Sequence, residues 1–193
     1  MASAAGDDNS DDFNTETSGF RPAEKTIQEI VSADADDQSL IKYKQELLGS
    51  AAAGGVVIRP DNPEKVIVTN ISLISDGEVK RSMDLPGPDD FVLSIKEGCV
   101  YHIRIQYYVQ REIVIGLRYS HKVKRMAVPV DKETYMFGSF APREEVYEYT
   151  SPAEEAPSGF IQRGKYSVSS AILDDDGHAY LKWNWVLEIT KDW

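Results

Sequence analysis

From about residue 65 onward, apolar residues recur at every second position, the period of strands with one buried face. Over 99–109, Cys99, Tyr101, Ile103, Ile105, Tyr107 and Val109 share one side, opposite His102, Arg104 and Gln106. Over 112–125, Ile113, Ile115, Leu117, Tyr119 and Val123 oppose Arg118, Ser120, Lys122 and Lys124. Over 179–190, Leu181, Trp183, Trp185, Leu187 and Ile189 oppose Lys182, Asn184 and Glu188. Further strands are predicted over 65–74 (Ile67, Ile71 and Leu73 together), 135–140, 145–149 and 165–173 (Tyr166, Val168, Ser170, Ile172). Clusters such as "LPGPDD", "EAPSG" and "DDDG" separate them as turns. Short alternating strands at this spacing predict an all-β chain, an immunoglobulin-like antiparallel β-sandwich. The paired cysteines and tryptophan of an antibody domain are missing.

Before this region the period is helical. "AEKTIQEIV" places Ile27, Ile30 and Val31 on one stripe, and "ADDQSLIKYKQELLG" does so with Leu40, Tyr43, Leu47 and Leu48. Asp36 or Asp37 fits the N-cap and Gly49 the C-terminal stop. Each helix is short of the roughly 12–15 residues that even favourable isolated helices need. They predict a helical hairpin that orders only against a surface. "SAAAGG" then breaks the pattern. The chain divides accordingly into a flexible acidic arm, 1–60, and a sandwich, 61–193.

Charge reinforces that division. Residues 1–40 hold ten acids and two bases, a net of −8 out of −11 for all 193 residues. The first twenty residues are expected to be disordered. A net negative chain repels phosphate backbones, which excludes nucleic acid as a partner, and suits a basic partner instead. "MASAAGDDNSDD" has neither the apolar run nor the basic flank of a signal peptide, and no stretch is long enough to span a bilayer as a helix. The expectation is a cytoplasmic protein, in which the Asn70-Ile71-Ser72 sequon stays unmodified.

Catalytic chemistry is hard to assemble from these residues. Cys99, the single cysteine, allows no intramolecular disulfide, and on an apolar face it reads as an inert buried thiol. His102, His121 and His178 lack metal-ligand spacing, and the first two read as solvated strand-surface residues. "DDDGH" lacks the alternating acids and closing glutamate of a calcium loop. "AAAGGVV" lacks the lysine of a phosphate loop. No enzyme, metal or cofactor is expected. Two features stay open: whether the generous apolar faces only fill a core or also wall a binding slot, and whether the arm is a tail or a conditional clamp.

The runs "DADDQSLIKYKQELLG", "KEGCVYHIRI", "QREIVIGLRY", "DKETYMFGSFAPREEVYEYTSPAEEAPSGFIQRGKYSVSS" and "DDDGHAYLKWNWVLEITKDW" together resemble the Rho GDP-dissociation inhibitors. The likeness extends from about residue 20 to the end. It implies a non-enzymatic, cytoplasmic monomer that pairs one to one with prenylated Rho-family small GTPases (Rho-, Rac- and Cdc42-like). Such a protein acts transiently at membranes without inserting. The sandwich would take the geranylgeranyl tail between its sheets, and the arm would clamp the switch regions.

By the same resemblance, the pocket positions are Leu73, Leu93, Ile113, Leu117, Val168 and Trp185. On the arm, Asp37 would hydrogen-bond a switch region, with Leu40, Leu47 and Leu48 giving apolar contact. Asp175 and Asp176 would face the GTPase, and Glu154 and Glu155 would attract the basic segment before its prenylated cysteine. The stretch 75–95 is unlike the family pattern, and one further position departs from it. Lys165 stands where a phosphorylatable serine often follows "RG", which leaves Ser167 as the candidate. The alternative is a general prenyl-binding carrier of other lipidated cargo, which would lack the arm motif.

Overall fold

The computed structural model describes residues 56–193; the arm positions Asp37, Leu40, Leu47 and Leu48 lie outside the described residues. Ten strands follow in order: β1 (Val66–Ser75), β2 (Glu78–Asp84), β3 (Val92–Lys96), β4 (Val100–Val109), β5 (Val114–Arg125), β6 (Val128–Phe140), β7 (Tyr147–Thr150), β8 (Glu154–Glu155), β9 (Gly164–Leu173) and β10 (Ala179–Thr190). They form two sheets. One runs β2–β1–β4–β7, with β8 also pairing to β4; the other runs β3–β10–β9–β5–β6. Ile71, Leu73, Ile103, Ile105 and Tyr107 from the first sheet share one core with Leu117, Tyr119, Val168, Ile172, Trp183 and Trp185 from the second. Each such side chain stabilises the fold by roughly 1.5–3 kcal/mol through removal from water.

The all-β sandwich expected from the alternation is therefore present, with one exception to antiparallel pairing. β3 lies parallel to β10, matching Val92 to Val186 and Ile95 to Ile189. It reaches that edge by crossing from the opposite sheet rather than through a hairpin, and only a crossover can deliver a parallel strand.

Bulges correct the alternation in two places. The β1–β4 register shifts between Val68 and Asn70, so Val66 and Val68, rather than Ile67, join Ile71 and Leu73 in the core cluster. In β5 the register shifts between Val114 and Leu117. Val114 is buried while Ile115 is 63 % exposed, and Ile113 falls just ahead of the strand. An extra residue in one strand reverses the side on which every earlier side chain points. Gly116 sits in this bulge with φ +63°, and a Cβ there would come within 2.0 Å of the Asp175 carboxyl carbon. The positive φ favours glycine, and a larger residue here would also have to displace the Asp175 carboxylate.

Three strands have no counterpart among the predicted ones. β2 buries only Met83, β3 is five residues long, and β8 is a two-residue bridge. β6 starts well before the predicted 135–140 because its first half is exposed on both faces, which leaves no alternation to read. The chain before β1 is fastened by Gln110. This fully buried side chain accepts from the Ile58 and Arg59 amides at 2.9 Å each and donates to the Asn62 and Glu64 carbonyls at 2.9 and 2.8 Å.

Candidate functional site: an apolar cavity between the sheets

A cavity of about 550 Å³ opens between the two sheets, within the range of small-molecule pockets, about 300–1,000 Å³. Its floor is buried and apolar. β1 contributes Ile71 and Leu73, β3 Leu93, β9 Val168, and β10 Trp185 and Ile189. Alternation puts Val168 on the inward side of β9, where it pairs with Trp185 across the β9–β10 ladder. The Trp185 indole N–H does not reach into the cavity unsatisfied; it donates to the Ser170 hydroxyl at 2.9 Å, which leaves the ring's carbon surface to line the space.

The mouth is different. Val130, Asp131, Glu155, Pro157 and Gln162 line it and are exposed, with Arg125 beside them. Between mouth and floor stands a polar belt. The Glu154 carboxylate accepts one hydrogen bond from the Tyr101 hydroxyl at 2.6 Å and a shorter one from the Tyr135 hydroxyl. Burial, followed by the neighbouring Glu154 charge, pushes the Tyr101 hydroxyl far above the usual phenol range. Tyr135 is raised for similar reasons, burial first. Both therefore stay neutral donors.

His121 completes the belt and corrects the expectation of a solvated ring. It is 4 % exposed and lines the cavity. Its Nε2 lies 3.9 Å from Asp131 Oδ2, and its Nδ1 has no hydrogen-bond partner. Burial lowers its pKa from the ordinary 6.5, against the opposing pull of Glu154 and Asp131. The signal was in the sequence, because residue 121 continues the odd-numbered inward series through Leu117, Tyr119 and Val123.

Of the six pocket positions taken from the resemblance, Leu73, Leu93, Val168 and Trp185 line the cavity, and Ile113 and Leu117 do not. Leu117 is fully buried in the core, and the β5 bulge turns Ile113 away. Ile103, Val123, Tyr166 and Leu187 line it in addition. All four lie on inward faces already apparent from alternation, but periodicity does not separate a slot wall from ordinary core.

The acidic positions divide by function. Glu154 is engaged with two tyrosines at the cavity, while Glu155 is exposed beside it. In the β9–β10 turn, Asp174 is structural, accepting from the His178 amide at 2.9 Å and the Tyr180 hydroxyl at 2.8 Å. Asp175 stands 3.4 Å from Arg118, and Asp176 is exposed. Neither of these two lines the cavity. Cys99 is half-buried rather than enclosed; burial pushes its thiol up, which disfavours the reactive thiolate. Among the described residues no group of three His, Cys, Asp or Glu could hold a metal, and no helix is long and apolar enough to cross a membrane.

The profile of one protein family, RHO protein GDP dissociation inhibitor, matches residues 4–192. The chain belongs to this family. The probable rho GDP-dissociation inhibitor of Caenorhabditis elegans is 48 % identical over 177 residues, covering 89 % of this chain and 91 % of the relative. Rho GDP-dissociation inhibitor 1 of Homo sapiens is 45 % identical over 179 residues, covering 89 % and 85 %. Rho GDP-dissociation inhibitor 3 of the same species is 42 % identical over 177 residues, covering 89 % and 77 %. This family is one of regulators.

Proposed function

We propose that this Rho GDP-dissociation inhibitor acts through two sites, a lipid slot in the sandwich and a clamp in the N-terminal arm. The slot takes the geranylgeranyl group of a Rho-type GTPase, and the cytoplasmic complex keeps that group from water. The observation that carries this reading is the 550 Å³ inter-sheet cavity with its buried apolar floor. In this reading Leu73, Leu93, Val168 and Trp185 wall the slot, together with Ile103, Val123 and Leu187.

Magnitudes support a division of labour. Hiding a twenty-carbon chain is worth on the order of 10 kcal/mol at ~0.8 kcal/mol per methylene. A bilayer offers a similar gain, so the slot alone only matches the membrane. Contacts with the GTPase must tip the exchange. Asp37, Leu40, Leu47 and Leu48 supply these from the arm, and docking there raises the effective concentration of the slot beside the lipid. Asp175 and Asp176 offer exposed charge to the GTPase, and Glu155 offers charge to the basic segment near its lipid, with Glu154 held inside the mouth. Exposed pairs are worth little energy, so they act mainly on rate and on salt dependence. An arm that binds only the closed switch conformation slows the opening that lets nucleotide leave.

Nucleotide release from prenylated and unprenylated Rho protein tests this. Full-length chain is expected to slow release and to extract only the prenylated form from vesicles, with Asp37→Ala weakening both effects. Equal retention of the two cargo forms would remove the slot. Full inhibition by an arm-deleted chain would remove the clamp.

A further inference from the structure

The three most exposed large apolar side chains among the described residues gather at one end of the sandwich. The β5–β6 turn presents Met126, 90 % exposed, with Val128 and Val130; the loop leading into β9 presents Phe160 and Ile161, 85 % and 78 % exposed. Single exposed apolar residues are ordinary, whereas a cluster marks a contact surface. Arg125 joins the two loops. Its guanidinium donates to the Ile161 and Arg163 carbonyls and lies 5.1 Å from the Tyr166 ring centroid.

The two loops are locally basic in an otherwise acidic chain. Residues 122–132 and 159–165 contain Lys122, Lys124, Arg125, Lys132, Arg163 and Lys165 against Asp131, with the acids Glu133 next in sequence and Glu155 at the mouth, although the chain carries −11. Lys122 is buried and Arg163 is paired with Glu97 at 2.9 Å, so the outward excess comes from Lys124, Arg125, Lys132 and Lys165. The same end holds the cavity mouth, since Arg125, Val130 and Gln162 belong to both.

We propose that the β5–β6 turn and the loop before β9 form a docking edge for an anionic lipid bilayer, placing the cavity mouth against the membrane. Apolar tips surrounded by cationic side chains suit the interface of a negatively charged membrane, where each contribution is weak alone and binding needs both. The acidic remainder of the chain is repelled by that surface, which orients the edge toward it and keeps the contact transient. A lipid would then pass from bilayer to slot without crossing water. That last consequence rests on the lipid-slot reading; the docking itself does not.

Sedimentation of the full-length chain with vesicles, in the absence of any GTPase, tests the edge. The chain is expected to bind vesicles of phosphatidylcholine with phosphatidylserine, more weakly at high salt, and hardly to bind phosphatidylcholine alone. The Phe160→Ser, Ile161→Ser double variant should partition roughly tenfold less, since it loses the apolar half of the attraction. Neither residue lines the cavity, so uptake of a geranylgeranylated peptide should be unchanged. Absence of preference for the anionic vesicles, or equal binding by the double variant, would overturn the proposal. So would a concentration-dependent dimer that the variant abolishes without any effect on vesicles. Failure of peptide uptake by both chains would count against the slot and leave the docking edge standing.

Discussion

Trp185 and His121 enter the same cavity with opposite chemistry. The indole satisfies its N–H on Ser170 and offers only carbon to the space, whereas the imidazole keeps one nitrogen unpartnered in a buried wall. Trp185→Ala would lose roughly 3–5 kcal/mol of stability by truncation alone, so a binding defect there would say little about a ligand. Val168→Phe is the better probe, because the added atoms point into existing space. It should lower lipid affinity at least about tenfold, with a stability change under about 1.5 kcal/mol, as volume entering an open space costs less than overpacking a full core. Lipid titration beside denaturant unfolding measures both. For His121, burial holds the folded pKa below 6.5, so the unfolded chain binds the proton first as pH falls. Stability is complete above 6.5 and declines as pH drops from there through the lower folded value. Denaturant unfolding at several pH values should show His121→Gln losing this part of the decline; identical slopes for both chains would show that the ring titrates normally.

At the scale of elements, the clearly alternating strands were legible and the irregular ones were not. β4, the first part of β9 and β10 beyond Leu181 alternate clearly, so those faces could be read directly. β1 and β5 carry bulges, which a period-two reading carries straight across, and this misplaced Ile67, Ile113 and Ile115. β2 and the first half of β6 lie on sheet edges with little buried surface, so no hydrophobic pattern announces them. The inter-sheet cavity was illegible for a different reason: Leu73 and Val168 look identical in sequence whether the inward face meets protein or empty space. Motif resemblance therefore had to supply candidate pocket positions; four of the six line the cavity, while Ile113 and Leu117 lie outside its lining. Gln110 shows what a single polar residue can do for an element. Gln110→Leu would leave the Ile58 and Arg59 amides and two carbonyls without their partner, at a cost of about 1–3 kcal/mol or more. Denaturant unfolding checks that cost, and faster proteolysis within 56–65 checks that the segment comes loose.

The sandwich encloses an inter-sheet cavity with an apolar floor, and it follows in sequence an acidic arm that carries two short apolar stripes. Tyr101 and Tyr135 both donate to Glu154 in the polar belt between the cavity's mouth and its floor. The charge distribution, strongly acidic in residues 1–40 and locally basic beside the cavity mouth, gives the molecule a polarity that its modest exposed ion pairs alone would not.

Titration of a fluorescent geranylgeranylated peptide into the full-length chain tests the central claim most directly. Saturable one-to-one uptake is predicted, blocked by Val168→Phe in a chain that still unfolds normally. No uptake by the wild-type chain, or undiminished uptake by that variant, would contradict the lipid slot between the sheets.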